Sequence, residues 1–214
     1  MATNRREFLG FSIGSFLIAA CGSAHESLAA TPGTPDDDGT PPDEAFAASS
    51  CSPRSCEATA DNIEGPFYKA GAPHRAVIAT DKDAGERLVI SGVVRDTHCT
   101  PIANATLDIW QADARGGYDN DGWGLRGRMT TDKRGRFQLS SIVPGRYLNG
   151  RRYRPTHVHV KLRAPNMREL TTQLYFEGDP YNEGDDFIVK QLIMQHAKSG
   201  GVRRAAFDFV LATA

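Results

Sequence analysis

The amino-acid sequence predicts an all-β domain, built either as a two-sheet β-sandwich or as a barrel. Short runs of residues alternate between apolar and polar side chains, as strands with one buried face do. Turn-forming residues separate these runs at short intervals, which is typical of sandwiches and barrels. Helix-like spacing occurs in the segment 187–197, and it is weak there.

The predicted strands begin at residue 88 and continue to residue 211. The first alternates apolar and polar residues and ends in a polar turn before Pro101. Asp-Lys-Arg-Gly at 132–135 forms a hairpin turn between two of the later strands. In order, the strands are 88–96, 105–113, 127–131, 136–142, 156–164, 170–176 and 206–211.

One predicted strand carries a pair of histidines. His157 and His159 stand two positions apart, so their side chains project from the same face, about 7 Å apart along the strand. Two imidazoles on one face can converge on a metal ion. A surface strand whose histidines contact only solvent is the alternative. The opposite face is apolar and is expected to be the buried one: Val158, Val160 and Leu162.

The chain has 214 residues and a net charge of −1, which fits one main domain with additional segments. No long stretch is basic enough to predict nucleic acid as a partner. One short basic cluster lies beside the histidine pair, at Arg146, Arg151, Arg152 and Arg154. A solvated loop or a pocket for an organic anion explains this cluster better than nucleic acid does.

Residues 1–21 are predicted to be a targeting segment rather than part of the fold. A pair of arginines precedes the apolar run 8–20, which is too short for a bilayer core that needs about twenty residues. This opening resembles a twin-arginine export signal, and 18–21 resemble a lipobox in which Cys21 is lipidated. Cleavage further on, for instance after Ala29, is the alternative. We therefore predict export to the periplasmic or extracellular side, with Cys21 as a candidate lipid anchor.

Residues 22–55 are predicted to form a disordered tether, because Ala, Pro, Gly, Ser and Asp dominate them and cannot build a core. The folded domain then spans 56–214. Three cysteines lie outside the targeting segment, which allows one disulfide and one spare thiol in an exported protein. We prefer the pair Cys56 and Cys99, because Cys51 lies in the tether.

A series of motifs runs in order through 59–214. They are E-G-P-F-Y at 64–68, L-D-I-W-Q-A-D-A-R-G-G-Y-D-N at 107–120, L-R-G-R at 125–128, T-D-K-R-G-R-F at 131–137, P-G-R-Y at 144–147, R-P-T-H-V-H at 154–159 and T-Q-L-Y-F-E-G-D-P at 172–180. Together they resemble the intradiol ring-cleavage dioxygenases, of the protocatechuate 3,4-dioxygenase kind. With this resemblance we expect a two-sheet β-sandwich, prealbumin- or immunoglobulin-like, whose long loops carry a metal site.

The resemblance implies a non-haem ferric ion held by two tyrosines and two histidines. Tyr153 lies near the histidines in the sequence, but it occupies a non-ligand position in the family pattern. Phenolate oxygen is a hard anionic donor that suits Fe(III), and a metal cation favours ionisation of a phenol whose free pKa is about 10. On the matching positions, the ligands are Tyr118, Tyr147, His157 and His159.

The resemblance also implies the reaction, which is cleavage of a catecholic ring by O2 to a muconate-type dicarboxylic acid. A catechol dianion is expected to displace Tyr147, which takes up a proton, while Tyr118 stays bound. Arg154 is expected to stabilise the carbanion-like ring, and Gln173 to form a hydrogen bond in the same pocket. Tyr147, Arg154 and Gln173 are therefore the predicted catalytic residues.

Two other functions stay open on the sequence. One is a non-catalytic exported β-sandwich that binds a ligand or partner, and the other is a zinc or copper site at His157 and His159 that needs no tyrosine. The resemblance is also compatible with an oligomer of identical or different subunits. It does not identify the ring substituent, although Arg146, Arg151 and Arg152 are candidates for binding a carboxylate.

Overall fold

The computed structural model describes residues 56–214, so the predicted targeting segment and tether lie outside the described residues. Twelve strands and two one-turn 3-10 helices, Asn182–Gly184 and Lys190–Leu192, form this region. Within it, no helix has the length and hydrophobicity that a membrane crossing requires. In chain order the strands are β1 (Arg87–Asp96), β2 (Thr106–Gln111), β3 (Arg126–Thr130), β4 (Arg136–Ile142), β5 (Tyr147–Asn149), β6 (Arg152–Arg154), β7 (His157–Arg163), β8 (Leu170–Phe176), β9 (Ile193–Met194), β10 (His196–Ser199), β11 (Val202–Ala206) and β12 (Phe209–Leu211).

The strands form two five-stranded sheets that share one apolar core. The first sheet has the order β10–β11–β1–β12, with β4 also paired to β1, and the second has the order β3–β2–β7–β8–β9. Strands β5 and β6 form a separate hairpin. The predicted all-β, two-sheet sandwich is confirmed. The core joins residues of both sheets, among them Leu88, Ile90 and Leu139 from the first and Leu107, Val160 and Leu174 from the second.

The predicted helical character of 187–197 is wrong. This segment holds the short 3-10 helix Lys190–Leu192, which is followed by β9 and the beginning of β10. Leu192 and Met194 are buried, and β9 pairs with β8. Packing against the sheet therefore outweighs the weak helical spacing of the sequence.

The strand predicted at 206–211 is divided between the end of β11 and β12. Phe207 leaves the ladder, and its amide donates to the carbonyl oxygen of Ser91 at 3.0 Å. A Cβ on Gly92 would lie 1.8 Å from the Phe207 carbonyl oxygen, so the chain can cross β1 here only because residue 92 is glycine. The crossing was not predicted because it depends on a contact between distant parts of the chain.

A disulfide joins Cys56 to Cys99, with the Cα atoms 5.5 Å apart. This confirms the pairing that the sequence favoured. The bridge connects the beginning of the described chain to the turn that follows β1, while Cys51 lies outside the described residues.

The central strand β7 is buried on both faces, which corrects the expectation of a single buried face. The predicted apolar residues do face the core. His157 and His159 on the other face are also buried, at 2% and 1% exposure. Part of this cover comes from residues 63–68, here called the strap, whose Gly65 passes beside His159.

Candidate metal centre

Cross-strand pairing places a row of polar and aromatic side chains on the outer face of the second sheet. Trp110 of β2 stands opposite His159 of β7, and His159 stands opposite Gln173 of β8. His157 stands opposite Tyr175. Residues paired directly across strands share a face, so the period-two pattern of three strands assembles this row.

The hairpin of β5 and β6 adds a phenol and a cation to this row. Tyr147 pairs with Arg154 in the hairpin register. The Arg154 residue is 4% exposed, and Tyr147 is half-buried. The centroids of the Tyr147 and His157 rings lie 5.6 Å apart, so the hairpin brings its phenol to the histidine pair.

The loop between β2 and β3 supplies the second phenol, Tyr118. Asp113 accepts hydrogen bonds from two amides of the turn before Tyr118, at 2.8 and 2.9 Å. Asp119 accepts from two amides of the turn that follows, both at 2.7 Å. These local turns hold Tyr118 in an otherwise irregular segment.

The four predicted ligands converge at one place. Tyr118 Oη lies 3.1 Å from His159 Nε2 and 3.4 Å from His157 Nε2. The centroids of the Tyr118 and Tyr147 rings are 5.7 Å apart, and those of the two imidazoles are 4.9 Å apart. In the region 56–214, no group of three His, Cys, Asp or Glu side chains could hold a metal ion.

Both imidazoles are neutral and available as metal ligands. Burial lowers the pKa of His157 to about 4, against the opposing effect of its hydrogen bond to Pro155. Burial, assisted by the neighbouring His157 and Arg154, lowers the pKa of His159 well below its ordinary value. His157 Nδ1 lies 2.7 Å from the Pro155 carbonyl oxygen, so this nitrogen carries the proton and Nε2 keeps its lone pair toward Tyr118.

Both phenols are protonated when only protein groups surround them. Burial raises the pKa of Tyr118, and the nearby Tyr147 raises it further, while Arg154 and Arg126 act in the opposite direction. Burial also raises the pKa of Tyr147, against the charge of Arg154. A strongly charged cation would ionise both phenols. Two neutral imidazoles and two ionisable phenols therefore fit a hard trivalent ion such as Fe(III).

The strap contacts two of the candidate ligands directly. A Cβ on Gly65 would lie 3.4 Å from His159 Cε1, and the φ angle of Gly65 is 71°, so glycine is favoured at this close approach. The Phe67 ring stacks on the Tyr118 ring, with centroids 4.1 Å apart and an interplanar angle of 13°. The strap thus covers the site where His159 and Tyr118 meet.

Two contacts with the second sheet anchor the strap. Glu64 forms an ion pair with Lys161 of β7. Gln173 Nε2 of β8 donates to the carbonyl oxygen of Ile63 at 2.8 Å. Gln173 thus lies opposite His159, and one of its contacts holds the cover in place.

Stacking on Trp110 orients His159. The two ring centroids are 4.7 Å apart and the planes are inclined by 10°. Neither Trp110 Nε1 nor His159 Nδ1 has a hydrogen-bond partner among the described residues, so the stack and the contact of Nε2 with Tyr118 hold this imidazole. Tyr68 packs against Trp110 at 4.9 Å and donates to Asp108 Oδ2 at 3.1 Å.

Arg154 is fixed by a network that joins it to Gln173. Its Nε donates to Asp185 in a buried ion pair, and its Nη2 donates to Gln173 Oε1 at 2.9 Å and to Tyr175 Oη at 3.3 Å. The guanidinium also lies 4.7 Å from the centroid of Phe187. Tyr175 was not predicted as a site residue, although its two-residue offset from Gln173 places it on the same face of β8. Asp185 lies in an irregular loop and has no such pattern.

Arg146, a candidate for binding a substrate carboxylate, has a partner within the protein. Its Nε donates to both oxygens of Asp179, at 3.0 and 3.1 Å. Although burial raises the pKa of Asp179, hydrogen bonds from Tyr181, Thr156 and Arg146 outweigh it and lower this pKa. Tyr153 is 48% exposed and packs 5.4 Å from the ring of Tyr181, which agrees with its exclusion from the ligands.

Proteins similar to this chain carry dioxygenase names. A protein-family model described as "Dioxygenase" matches residues 63–213. The chain is 36% identical over 157 residues to chlorocatechol 1,2-dioxygenase from Rhodococcus opacus, which covers 59% of this chain. It spans 60% of the length of that relative.

Solved structures match the fold. The dioxygenase domain of a dioxygenase and carbohydrate-binding protein fusion from Streptomyces sp. SirexAA-E has a TM-score of 0.69 at 41% identity, covering 74% of this chain and 100% of that one. The structure of 3-chlorocatechol 1,2-dioxygenase from Rhodococcus opacus 1CP has a TM-score of 0.69 at 30% identity, covering 73% of each chain.

Proposed function

Because the chain belongs to the intradiol ring-cleavage dioxygenase family, we propose that it is an enzyme that cleaves a catecholic ring with O2. The proposed reaction breaks the bond between the two hydroxyl-bearing carbons, incorporates both oxygen atoms and yields a muconate-type dicarboxylic acid. A non-haem ferric ion is the proposed cofactor. The names of the similar proteins, which refer to chlorocatechols, support a small catechol as the substrate.

One observation carries this proposal, and it is the convergence of two phenols and two imidazoles from separate elements. Tyr118 Oη lies within 3.4 Å of both histidine Nε2 atoms, and Tyr147 packs against the same rings. A structural role alone does not explain why two buried imidazoles converge on one phenol oxygen. A metal ion held by these four side chains explains the arrangement.

The bound ferric ion would supply Lewis acidity, withdrawing electron density from a catecholate so that its ring reacts with O2. With the ion bound, the ionised Tyr147 phenol, which lies on the short hairpin at the edge of the site, would take a proton from an incoming catechol hydroxyl. Tyr118 is held more firmly, since Phe67 stacks on it. The strap keeps solvent away from the side of the site that it covers.

Arg154 provides positive charge beside both phenols and is proposed to stabilise the negative charge that develops on the ring. Gln173 holds the guanidinium through its Oε1 and the strap through its Nε2. Asp185 keeps Arg154 in place from the other side. These residues bind and orient charge, and none of them needs to transfer a proton.

Metal analysis and a substrate panel test the proposal. The full chain is loaded with Fe(III) and then supplied with catechol, 3-chlorocatechol, hydroxyquinol or protocatechuate. We expect one iron per chain, a red-brown colour from tyrosinate-to-iron charge transfer, and O2 uptake with formation of a dicarboxylic acid. An iron-bound but inactive protein would favour a binding module, and a colourless protein that binds zinc or copper at the histidines would contradict the proposed cofactor.

We also propose that residues 1–21 direct export by the twin-arginine route and that Cys21 is lipidated. The sequence pattern of the arginine pair and the lipobox supports this. Cells that express the chain are labelled with a palmitate analogue, beside a Cys21→Ser variant. Label that appears in both proteins equally would contradict lipidation at Cys21.

A further inference from the structure

Arg126 is a buried cation without a carboxylate partner among the described residues. It is 2% exposed, and its Nε donates to the Asp119 carbonyl oxygen at 2.9 Å. Its Nη1 donates to the Phe67 carbonyl oxygen at 2.6 Å, while its Nη2 is buried and unpaired. Carbonyl groups solvate a guanidinium but do not neutralise it, so a buried arginine of this kind requires a negative charge nearby.

The two carbonyls that Arg126 binds lie on either side of Tyr118. Asp119 is the residue that follows Tyr118, and Phe67 is the strap residue whose ring stacks on the Tyr118 ring at 4.1 Å. Arg126 therefore connects the loop that carries Tyr118 to the cover that packs on it. Its charge also favours the ionised form of the Tyr118 phenol.

Two carboxylates act on Arg126 through their charge, and both form contacts with other groups. Asp119 accepts hydrogen bonds from three amides of its own turn. Asp108 accepts from the Tyr68 hydroxyl and lies 3.8 Å from an Arg163 nitrogen. Both contribute to the electrostatic environment of Arg126 from a distance, as Tyr118 does, but neither forms an ion pair with it within the described region.

We propose that Arg126 is a positioning residue of the metal centre, whose fixed charge balances a Tyr118 phenolate and whose hydrogen bonds clamp the strap to the Tyr118 loop. The inference rests on the proposed function, because the phenolate exists only when a metal ion is bound. Arg126 acts through Tyr118 and not on the substrate. It should therefore determine how tightly the site holds Fe(III) and how strongly Tyr118 donates to it.

Arg75 offers a matched control. It is partly buried, and it also donates two guanidinium hydrogen bonds to carbonyl groups of this loop, at Arg126 and Trp123. Neither of these bonds reaches the strap or Asp119. Arg75→Gln thus removes the same kind of loop contact and the same formal charge, and leaves the clamp around Tyr118 intact.

The test compares Arg126→Gln, Arg126→Lys and Arg75→Gln with the unaltered full chain. Fe(III) affinity is measured by competition with a chelator, and the energy of the tyrosinate-to-iron absorption band is recorded. We expect Arg126→Gln to bind Fe(III) about 10- to 100-fold more weakly, as changes beside a metal ligand typically do. Its band should move to longer wavelength, because an uncompensated phenolate gives up electrons more easily. Arg126→Lys keeps the charge and should keep the band position, and Arg75→Gln should change neither measurement.

Circular dichroism of each metal-free variant shows whether it folds. The inference would be overturned if Arg126→Gln and Arg75→Gln had the same Fe(III) affinity and the same absorption band. It would also be overturned if the band of Arg126→Lys were shifted. If both Arg126 variants fail to fold while Arg75→Gln folds, Arg126 is a folding residue and the inference is wrong. An unaltered chain that binds no Fe(III) would instead contradict the proposed function, so the two failures are distinguishable.

Discussion

The ion pair of Arg154 and Asp185 is almost completely shielded from solvent, so Asp185→Ala is expected to be strongly destabilising. The two side chains are 5% and 2% exposed. Removal of one member of a buried pair typically costs about 3–5 kcal/mol, because the other charge remains buried without compensation. Arg154 would keep its bonds to Gln173 and Tyr175 at 2.9 and 3.3 Å, so we expect a loss of about 3 kcal/mol.

The neighbouring residue supplies the control for this experiment. Asp186 lies 3.9 Å from Arg152, with side chains that are 86% and 75% exposed. Exposed pairs of this kind contribute about 0–1 kcal/mol, so Asp186→Ala should change the free energy of unfolding by less than about 0.5 kcal/mol. Urea denaturation of both variants, with unchanged m values, measures the difference.

Turnover gives a second measurement on the same two variants. If Asp185 keeps the Arg154 guanidinium directed at the site, Asp185→Ala should lower kcat by about 10²-fold, the order of loss seen when one charge-stabilising donor is misplaced. KM should change less, because Asp185 is proposed to contact Arg154 and not the catechol oxygens. Equal stability and equal kcat in Asp185→Ala and Asp186→Ala would refute the proposed role of the buried pair.

Three further predictions follow from the same structure. Tyr118→Phe keeps the ring that stacks on Phe67 but removes the oxygen, so the Fe(III)-treated protein should have a weaker red-brown colour, from Tyr147 alone, while its metal-free form keeps its circular dichroism. Burial lowers the pKa of His157 from 6.5 to about 4. As the pH falls, this imidazole is therefore protonated in the unfolded chain before it is protonated in the folded one. The metal-free protein should therefore lose stability as pH falls from about 6.5 to 4, by about 3 kcal/mol from this residue. His157→Phe should lose less over the same range by about this amount, while His159 continues to contribute, when both proteins are unfolded by urea at each pH. Cys99→Ala opens a disulfide that joins residues 43 positions apart, which should cost about 4 kcal/mol in thermal or urea unfolding, and an unchanged midpoint would contradict the stabilising role of the bridge.

Sequence periodicity was sufficient to predict the sheet that carries the site. Alternation in β7 puts His157 and His159 on one face, and alternation in β8 puts Gln173 on the matching face, where pairing sets it opposite His159. The two tyrosines could not be found in this way, because Tyr118 lies in a loop and Tyr147 on a three-residue strand. Only the resemblance to a family with phenolate ligands identified them.

The cover of the site depends on contacts that local sequence patterns do not encode. Glu64 and Lys161 are 97 positions apart, and the partner of Arg154 lies 31 positions further along in an irregular loop. The strap, which carries Glu64, and the loop that carries Asp185 both lack hydrophobic periodicity. Their positions therefore follow from packing against the finished sheet. The strap also explains the error at β7. This strand was expected to have one buried face, but the strap helps to cover the second face as well.

The contrast between the two tyrosines supports the expectation that a substrate displaces Tyr147 rather than Tyr118. The Phe67 ring lies parallel to Tyr118 at 4.1 Å, whereas it meets Tyr147 edge-on at 6.1 Å. Tyr118 is also bracketed by turns and by the bonds of Arg126 to both flanking segments. Tyr147 belongs to a short hairpin whose next residue, Leu148, is 58% exposed. Displacing Tyr118 would break the stacked cover, whereas displacing Tyr147 would leave the stack of Phe67 on Tyr118 intact.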